Sequence, residues 1–428
     1  MVKIKHCASI LANYHPMNQL HKTDILILGA GIGGYEAYRS LAKLLKHHGL
    51  NKKITVIDRN NYFTFTPMLH EAATGSVEPT HCAIPLRALI KTQHEFIRTD
   101  IQKICPEKKC IETDVGTIEY EYIIVALGSK INFFNTPGAA EYTYNVRTLT
   151  AAMKLQQAFI NLLESQQKNI RLAIVGGAYT GIEIAGQFSH FAKTDIAKLY
   201  PTKTVEINLI QSNNDILPTS TSKIRKYIRE HLEKENVIIK LNSLVTEVSP
   251  TAVILKDKTE IATDLVIWTA GFENTAASYL PDSACERGRI PVNEFLYNTT
   301  HPTMYAIGDI MCAMDPNTKL IYPQLGEAAH KEGEYVARQI VTQLIGKKLT
   351  EPFHFKSFGT IIPLGNWQAV AQIGPITIYG PLAWWIRRTA YILFFPGFVR
   401  KLKIVIDWTL HSFGHRYIID LGGKRGDY

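Results

Sequence analysis

Two glycine-rich turns, each at the end of an apolar strand, constrain this chain more than any other feature. Residues 29–34 (GAGIGG) follow the strand DILIL and precede a helix predicted from Tyr35, and residues 176–181 (GGAYTG) follow LAIV and precede IEIA. Glycines at this spacing permit a tight bend and let backbone amides approach a pyrophosphate at the start of a helix. Each turn therefore predicts a Rossmann-like dinucleotide site. The predicted binding glycines are Gly29, Gly31, Gly34, Gly176 and Gly181.

The residue at the end of the next strand contacts the adenosine ribose in sites of this kind. The strand KITVID of the first unit ends in Asp58, as such a site requires. The strand VEINLI of the second unit is followed by Gln211, which can hydrogen-bond a 2′-hydroxyl but does not repel a 2′-phosphate. Ala178 replaces the middle glycine of the second turn, and its methyl group crowds the closest approach to phosphate. Both NADH and NADPH therefore stay open for the second site.

The order of turns and strand ends predicts an α/β chain with two nested Rossmann-like dinucleotide-binding domains, the layout of a two-dinucleotide flavoprotein. Apolar strands end at Gly128, at Gly271 and at residues 308–309 (GD), so that the first domain resumes after the second. The predicted limits are an N-terminal extension at 1–22, the first domain at 23–147 and 272–350, the second domain at 148–271, and C-terminal strands and membrane-binding helices at 351–428.

Composition and cysteine usage narrow the class of protein further. At 428 residues with 46% hydrophobic content, the chain is long enough for two or three ordinary cores. The cysteines form neither a CxxC pair nor a metal-ligand spacing, which predicts a reducing compartment and no metal site. A catalytic disulfide between distant cysteines stays open. The six cysteines are Cys7, Cys82, Cys105, Cys110, Cys285 and Cys312.

The C-terminal tail combines positive charge with aromatic side chains. The net charge is +9, and basic residues outnumber acidic ones after Gly380. Aromatic anchors flanked by Arg and Lys favour amphipathic helices in a membrane interface, and we predict two of them, at 382–395 and 398–413. The longest uncharged stretch after Gly380, 389–399, is shorter than the roughly 20 residues that a membrane-spanning helix needs. The aromatic residues of this segment include Trp384, Trp385, Tyr391, Phe394, Phe395, Phe398 and Trp408.

A helical hairpin of this composition need not bind a membrane. Its aromatic side chains could dock on the protein's own core, or on a second copy in a homodimer. Nucleic acid is not an expected partner, because no recognised fold or basic groove accompanies the charge.

Three segments resemble the type II NADH dehydrogenases, the monotopic NADH:quinone oxidoreductases of respiratory membranes. Residues 61–75 (NYFTFTPMLHEAATG) resemble the loop over the flavin in that family, and residues 359–371 (GTIIPLGNWQAVA) resemble its glycine-rich strand segment. The tail from Ala383 to Trp408 is similar to the family's membrane-binding segment, including the Asp-Trp pair at its end. The resemblance extends from residue 23 to about residue 417.

The resemblance assigns roles to the residues already singled out. It implies that the first turn holds FAD and the second holds NADH, with a catalytic Glu183 at the contact between nicotinamide and flavin. The residues expected to bind FAD are Gly29, Gly31, Gly34, Asp58, Gly128 and Asp309. Those expected at the NADH site are Gly176, Thr180, Gly181, Gln211 and Gly271.

This chain departs from the family pattern where quinone would bind. The family's helix that faces the quinone carries an Ala-Gln pair, and the alignment places Gly326 and Glu327 there. A protonated glutamate could hydrogen-bond a quinone or relay a proton to it, and burial near a membrane would raise its pKa. Glu327 is therefore a candidate catalytic residue, and the alternative is an exposed glutamate on a helix turn. Gln187 stands where the family has a second carboxylate.

The resulting expectation is an FAD-dependent, non-proton-pumping NADH:quinone oxidoreductase. It would pass a hydride from NADH to FAD and two electrons to a membrane quinone, on the cytoplasmic face of a bacterial inner membrane. One alternative is a sulfide:quinone oxidoreductase, which needs a cysteine pair with one member usually late in the chain, whereas no cysteine follows Cys312. The other alternative is a membrane-bound redox sensor that binds flavin and NAD without quinone turnover.

Overall fold

The computed structural model describes residues 21–281, 284–365, 367–413 and 415–419, which form two compact units. The segments of the first unit are 1–63, 85–129 and 274–356, and those of the second are 64–84, 130–273 and 357–428. Most of the predicted N-terminal extension, Cys7 and the last nine residues of the tail lie outside the described residues. The predicted domain limits remain predictions, and the two units differ from them most clearly at residues 64–84.

A seven-stranded sheet forms the centre of the first unit. Its central strand His21–Leu28 pairs in parallel with Ile54–Asp58 on one side and with Gly116–Val125 on the other. The late strand Met304–Ala306 also pairs in parallel with Gly116–Val125. The chain thus returns to this sheet after the whole segment that contains the second turn. The remaining strands of the sheet are Glu95–Arg98, Ile101–Cys105 and Cys110–Thr113.

Two long helices of the first unit pack together where glycines replace side chains. A Cβ atom on Gly333 would lie 2.6 Å from the carbonyl oxygen of Gly33, so the two backbones are in direct contact. The helices of this unit are Ile32–His47, Leu86–Leu89 and Gly326–Leu344, with 3-10 turns at Pro106–Lys108, Ala276–Ser278 and Gly308–Ile310. The two-residue strands Ile290–Pro291 and Met311–Cys312 pair in parallel.

A five-stranded parallel sheet forms the centre of the second unit. Its strands, in spatial order, are Thr143–Tyr144, Leu265–Trp268, Asn169–Val175, Thr204–Ile210 and Val237–Lys240. The helices of this unit before the tail are Leu69–Ala73, Ala139–Tyr142, Leu149–Glu164, Tyr179–Phe191, Ala197–Leu199 and Ser222–Lys234. A π-helical segment at Ala192–Ile196 and 3-10 turns at Thr66–Met68 and Pro79–Cys82 complete its helical parts.

Two antiparallel sheets and the tail helices complete the second unit. The strands of one sheet are Val245–Val248, Ala252–Leu255 and Glu260–Ala262, and those of the other are Thr360–Gly365, Gln368–Ile373 and Ile376–Tyr379. Short strands at Tyr62–Thr64, Ala83–Pro85, Ser129–Ile131 and Phe272–Asn274 lie where the chain passes from one unit to the other. The C-terminal part of the chain thus contains antiparallel strands before the tail helices.

The tail forms two helices, as its amphipathic pattern predicted. The first tail helix is Pro381–Phe394 and the second tail helix is Phe398–Phe413, each within one residue of the predicted limits. Pro396 and Gly397 separate them. Within the part of the chain that the structure describes, no helix has both the length and the apolar composition needed to cross a membrane.

We expect Gly333→Val to destabilise the first unit, because the added side chain would overlap the backbone of the neighbouring helix. Overpacking of this kind costs about 1–3 kcal/mol in the free energy of unfolding. Urea unfolding followed by circular dichroism measures the change. Thr342→Ala, a half-buried position on the same helix, is the matched control and should stay within about 0.5 kcal/mol of the wild type. Equal stability of Gly333→Val and wild type would contradict the close backbone contact.

Candidate functional site

The first glycine-rich turn leaves an open space at the start of a helix. Gly29 has a φ of +90°, and a Cβ atom on Gly34 would overlap the carbonyl oxygen of Gly29. The helix begins at Ile32 rather than at the predicted Tyr35, because Gly33 and Gly34 already form its first turn. Among the described residues, no heavy atom other than those of Gly31 and its immediate chain neighbours lies within 4 Å of the position that a Cβ on Gly31 would take. The free amides at the helix start therefore face a cradle that can accept a pyrophosphate.

Asp58 lies against this turn, as the sequence predicted. Its Oδ2 accepts a hydrogen bond from the amide of Ala30 at 2.8 Å, and its Oδ1 accepts one from the amide of Asn60 at 2.8 Å. Burial raises the pKa of this carboxyl group, and the two amide donors oppose that effect. The carboxylate thus holds the turn in place and stands where a ribose would bind.

The other candidate flavin residues, Gly128 and Asp309, lie close together elsewhere in the first unit. Gly128 has a φ of +68° with open space around its Cβ position, and the Ser129 hydroxyl donates to Asp309 Oδ2 at 2.7 Å. The amide of Gly308 donates to Glu332 Oε2 at 2.6 Å. Glu332 is almost fully buried, and burial raises its pKa to about 7. Glu332 was not among the residues predicted from the sequence, although its spacing from Ala328, Tyr335 and Val336 places it on the buried face of the helix.

The second glycine-rich turn repeats the geometry of the first. Gly176 has a φ of +111°, and a Cβ atom on Gly181 would overlap the carbonyl oxygen of Gly176. Ala178 has φ −88° and ψ −170°, close to the φ −69° and ψ −168° of Gly31 at the same position of the first turn. The alanine therefore adopts the backbone conformation of the turn without strain. Its exposed methyl group is the difference that a bound phosphate would meet.

Gln211 takes the place in the second turn that Asp58 takes in the first. Its Oε1 accepts a hydrogen bond from the amide of Gly177 at 3.1 Å, and its Nε2 donates to the carbonyl of Asp215 at 3.4 Å. The side chain is therefore held by the turn while carrying no charge. Gly271, with a φ of +70°, follows the strand Leu265–Trp268.

Glu183 lies on the helix that starts at the second turn and is mostly buried. Its side chain is 15% exposed, and its Oε2 lies 3.5 Å from Nδ1 of His70. Burial raises the pKa of Glu183 to about 8, although the positive charge of Arg387 acts in the opposite direction. Burial therefore favours the protonated form of Glu183. Thr180, one turn before it, is half-buried.

A buried polar cluster connects Glu183 to the tail, and the sequence analysis did not predict it. Arg387 Nη1 pairs with Glu71 Oε1 at 2.5 Å, Arg387 Nη2 donates to His70 Nε2 at 2.9 Å, and Trp408 Nε1 donates to Glu71 Oε2 at 2.9 Å. Burial alone would raise the pKa of Glu71, but Arg387, His70 and Arg388 together outweigh it and lower that pKa to about 2. Helical spacing could have revealed Arg387, which shares its face with Ala383 and Trp384.

The candidate quinone residues occupy well-defined positions, and their role stays a prediction. Glu327 is half-buried in the first turn of the helix Gly326–Leu344, in the first unit. Gln187, in the second unit, accepts a hydrogen bond from the Ser76 hydroxyl at 3.2 Å. The neutral Gln187 side chain thus accepts a hydrogen bond, from a residue distant in sequence, that a carboxylate could also accept.

The tail helices present two different faces. Trp384, Phe395 and Trp408 are buried in the second unit, so the aromatic side chains of this face dock on the protein's own core. Phe65 contacts the rings of Tyr391 and Phe395 at centroid distances of 5.6 and 5.0 Å. The other face is apolar and exposed, as an interfacial helix would be. Its residues include Leu382, Trp385, Leu393, Phe394, Phe398, Val399, Leu402, Ile406 and Leu410.

Comparison with known proteins gives a consistent picture. A family model described as pyridine nucleotide-disulphide oxidoreductase matches residues 23–333. The chain is 27% identical to a type II NADH:quinone oxidoreductase of Haemophilus influenzae over 405 residues, covering 84% of this chain and 90% of the relative. It is also 27% identical to the demethylphylloquinone reductase NdbB of Synechocystis over 406 residues, covering 91% of this chain and 96% of the relative.

A solved structure of NDH2 from Plasmodium falciparum in complex with NADH matches this chain with a TM-score of 0.81 and 20% identity, covering 93% of this chain and all of that one. This likeness concerns the fold. Together with the relatives, it confirms the predicted α/β class and the resemblance to type II NADH dehydrogenases.

We expect Gln211→Glu to discriminate against NADPH. Asp58 accepts an equivalent amide hydrogen bond in the first turn, so a carboxylate is compatible with this geometry. The new charge would repel a 2′-phosphate, and like charges in contact cost enough to change the ratio of dissociation constants by about tenfold or more. Calorimetric titration with NADH and NADPH measures that ratio. Gln167→Glu, an exchange of the same kind at a half-buried position outside the turn, is the control. An unchanged ratio would remove Gln211 from the ribose site.

Proposed function

Because this chain belongs to the pyridine nucleotide-disulphide oxidoreductase family, we propose that it is an FAD-dependent NADH:quinone oxidoreductase bound to a membrane surface. The observation that carries the proposal is the presence of two equivalent dinucleotide turns in one chain whose tail has an exposed apolar face. Relatives named as quinone reductases along most of the chain support the choice of acceptor. The tail supports a membrane-dissolved quinone rather than a soluble one.

The residues of the first unit fit FAD. The cradle at Gly31 is open, Asp58 is held at the turn, and Asp309 lies beside the open space at Gly128. When bound, FAD supplies a carrier that takes a hydride from NADH and gives two electrons to a quinone. The protein's part is to bind both nucleotides and to orient them, which supplies much of the rate in such reactions.

The residues of the second unit fit a nicotinamide dinucleotide. The helix start at the second turn attracts the pyrophosphate, and Thr180, Gly181 and Gln211 lie along the same turn. Glu183 would lie at the nicotinamide end of this site. As a protonated and buried group, it can donate a hydrogen bond without placing a negative charge beside the reacting ring.

The quinone side of the proposal rests on the tail and on Glu327. The quinone would approach from the membrane, and a protonated Glu327 would donate a hydrogen bond or a proton to it. The resemblance to type II NADH dehydrogenases implies that no protons are pumped. It also implies a position on the cytoplasmic face of a bacterial inner membrane, where NADH is available.

Anaerobic mixing with NADH, followed by a short-chain quinone, tests this function. We expect the flavin absorbance to bleach with NADH and to recover on addition of quinone. Bleaching by sulfide but not by NADH would favour a sulfide:quinone oxidoreductase. Bleaching without recovery on quinone would favour a redox sensor.

In the same assay Glu183→Ala should retain FAD yet slow bleaching about 100-fold, as loss of a positioned acid does. Glu230→Ala, at an exposed position of the second unit, is the control.

We expect charges on the exposed face of the tail to release the protein from membranes. Leu402→Glu combined with Leu410→Glu places two carboxylates on the apolar face without touching the buried cluster. Sedimentation with anionic vesicles measures binding, and the double variant should stay in the supernatant while wild type pellets. Leu199→Glu, at an exposed apolar position outside the tail, should pellet like wild type. Sedimentation of the double variant with the vesicles would refute the membrane role of the tail.

A further inference from the structure

The buried cluster beside Glu183 has a definite hydrogen-bond direction. A guanidinium group has donors and no acceptor, so Arg387 Nη2 must donate to His70 Nε2 across their 2.9 Å separation. An accepting Nε2 carries a lone pair. The proton of a neutral His70 therefore sits on the other ring nitrogen, Nδ1.

His70 is neutral in this environment. Its side chain is 3% exposed, and burial together with the charge of Arg387 lowers its pKa to about 3. A second proton on Nε2 would also point straight at the guanidinium. Both effects favour a neutral imidazole with its proton on Nδ1.

Nδ1 of His70 faces Glu183. The two heavy atoms are 3.5 Å apart, longer than an ordinary hydrogen bond. Hydrogen bonds of active sites are often long before a substrate binds and shorten in the complex. A small movement of either side chain would bring the Nδ1 proton into bonding distance of the carboxyl group.

Arg387 is held firmly enough to fix this arrangement. Glu71 pairs with it at 2.5 Å and is itself fixed by the indole N–H of Trp408, while the ring of Tyr391 lies 4.4 Å from the guanidinium carbon. The groups that face Glu183 are therefore His70 and Glu71 from the helix Leu69–Ala73, and Arg387 and Tyr391 from the first tail helix.

We propose that Arg387 is a positioning residue for Glu183: it holds His70 in the tautomer whose Nδ1 proton faces the Glu183 carboxyl group. This inference rests on the proposed function in taking Glu183 as a residue of the NADH site. It makes the seating of the tail helix on the second unit a condition for the correct protonation of that site. The conventional role of an amphipathic tail, membrane attachment, does not require this link.

The tautomer of His70 can be observed directly in the full-length protein with FAD bound. Two-bond proton–nitrogen spectra of protein labelled with 15N-histidine distinguish the two tautomers, and His70→Gln assigns the signal by its disappearance. We expect wild-type His70 to be protonated on Nδ1 alone. Protonation on Nε2 in the wild type would overturn the proposal, and this measurement does not depend on enzymatic turnover.

Substitution of Arg387 should move the proton. Glu71 Oε1 lies 3.8 Å from His70 Nε2, so in Arg387→Met this carboxylate becomes the nearest partner and should draw a proton to Nε2. Arg387→Lys keeps a charged donor and should keep the wild-type tautomer. Trp408→Phe removes the other donor to Glu71 without touching His70 and should also leave the tautomer unchanged. An unchanged tautomer in a folded Arg387→Met would refute the role of Arg387.

The pH dependence of flavin bleaching by NADH provides the second readout. Loss of the nearby positive charge and of the Nδ1 donor removes two influences that lower the pKa of Glu183. The midpoint of the pH dependence of the bleaching rate should therefore lie about 1 to 3 pH units higher in Arg387→Met than in wild type. Arg387→Lys should restore the wild-type midpoint. A lower rate with an unchanged midpoint would reduce Arg387 to an anchor of the tail. Absence of bleaching in the wild type would refute the proposed function and leave the tautomer result standing.

Discussion

The contact between a helix and the turn that precedes it organises both units of this protein. In each case the carbonyl oxygen of the first glycine, Gly29 or Gly176, fills the space that a side chain on the last glycine would need. The helix can therefore start directly at the end of the strand, with its free amides directed at one open point. Asp58 and Gln211 hold the two turns through equivalent amide hydrogen bonds. The candidate flavin and nicotinamide sites are two versions of this one arrangement.

A buried ion pair is the second constraint, and it acts on the tail. Removing Arg387 and Glu71 from water costs several kcal/mol for each ion, and their attraction offsets that cost only with good geometry and further hydrogen bonds. The indole of Trp408 and the imidazole of His70 supply those bonds. Such a pair adds little net stability but fixes one position of the helix, because any other position would leave a charge buried without its partner. The same helix leaves its other face apolar and exposed.

The pattern of residues predicted much of this structure. Glycine spacing located both turns, strand ends located Asp58 and Asp309, and amphipathic spacing located both tail helices to within one residue. The predicted start of the first long helix, Tyr35, was three residues late. Gly33 and Gly34 form the first turn of that helix, and glycines weaken the helical pattern of the sequence there. Of the alternatives for the tail, docking on the protein's own core is present on one face, and the other face is apolar and exposed.

By itself the sequence determined the class of fold, the two dinucleotide turns and the amphipathic tail, because each depends on residues that are close neighbours in the chain. Only the tertiary structure decided that His70 lies between Arg387 and Glu183, that Glu332 caps the amide of Gly308, and that Gln211 replaces a carboxylate within the same hydrogen bond. These contacts join segments far apart in sequence. The protonation of His70, Glu183 and Glu332 depends on burial. The packing of distant segments creates that burial, and no local pattern of residues reports it.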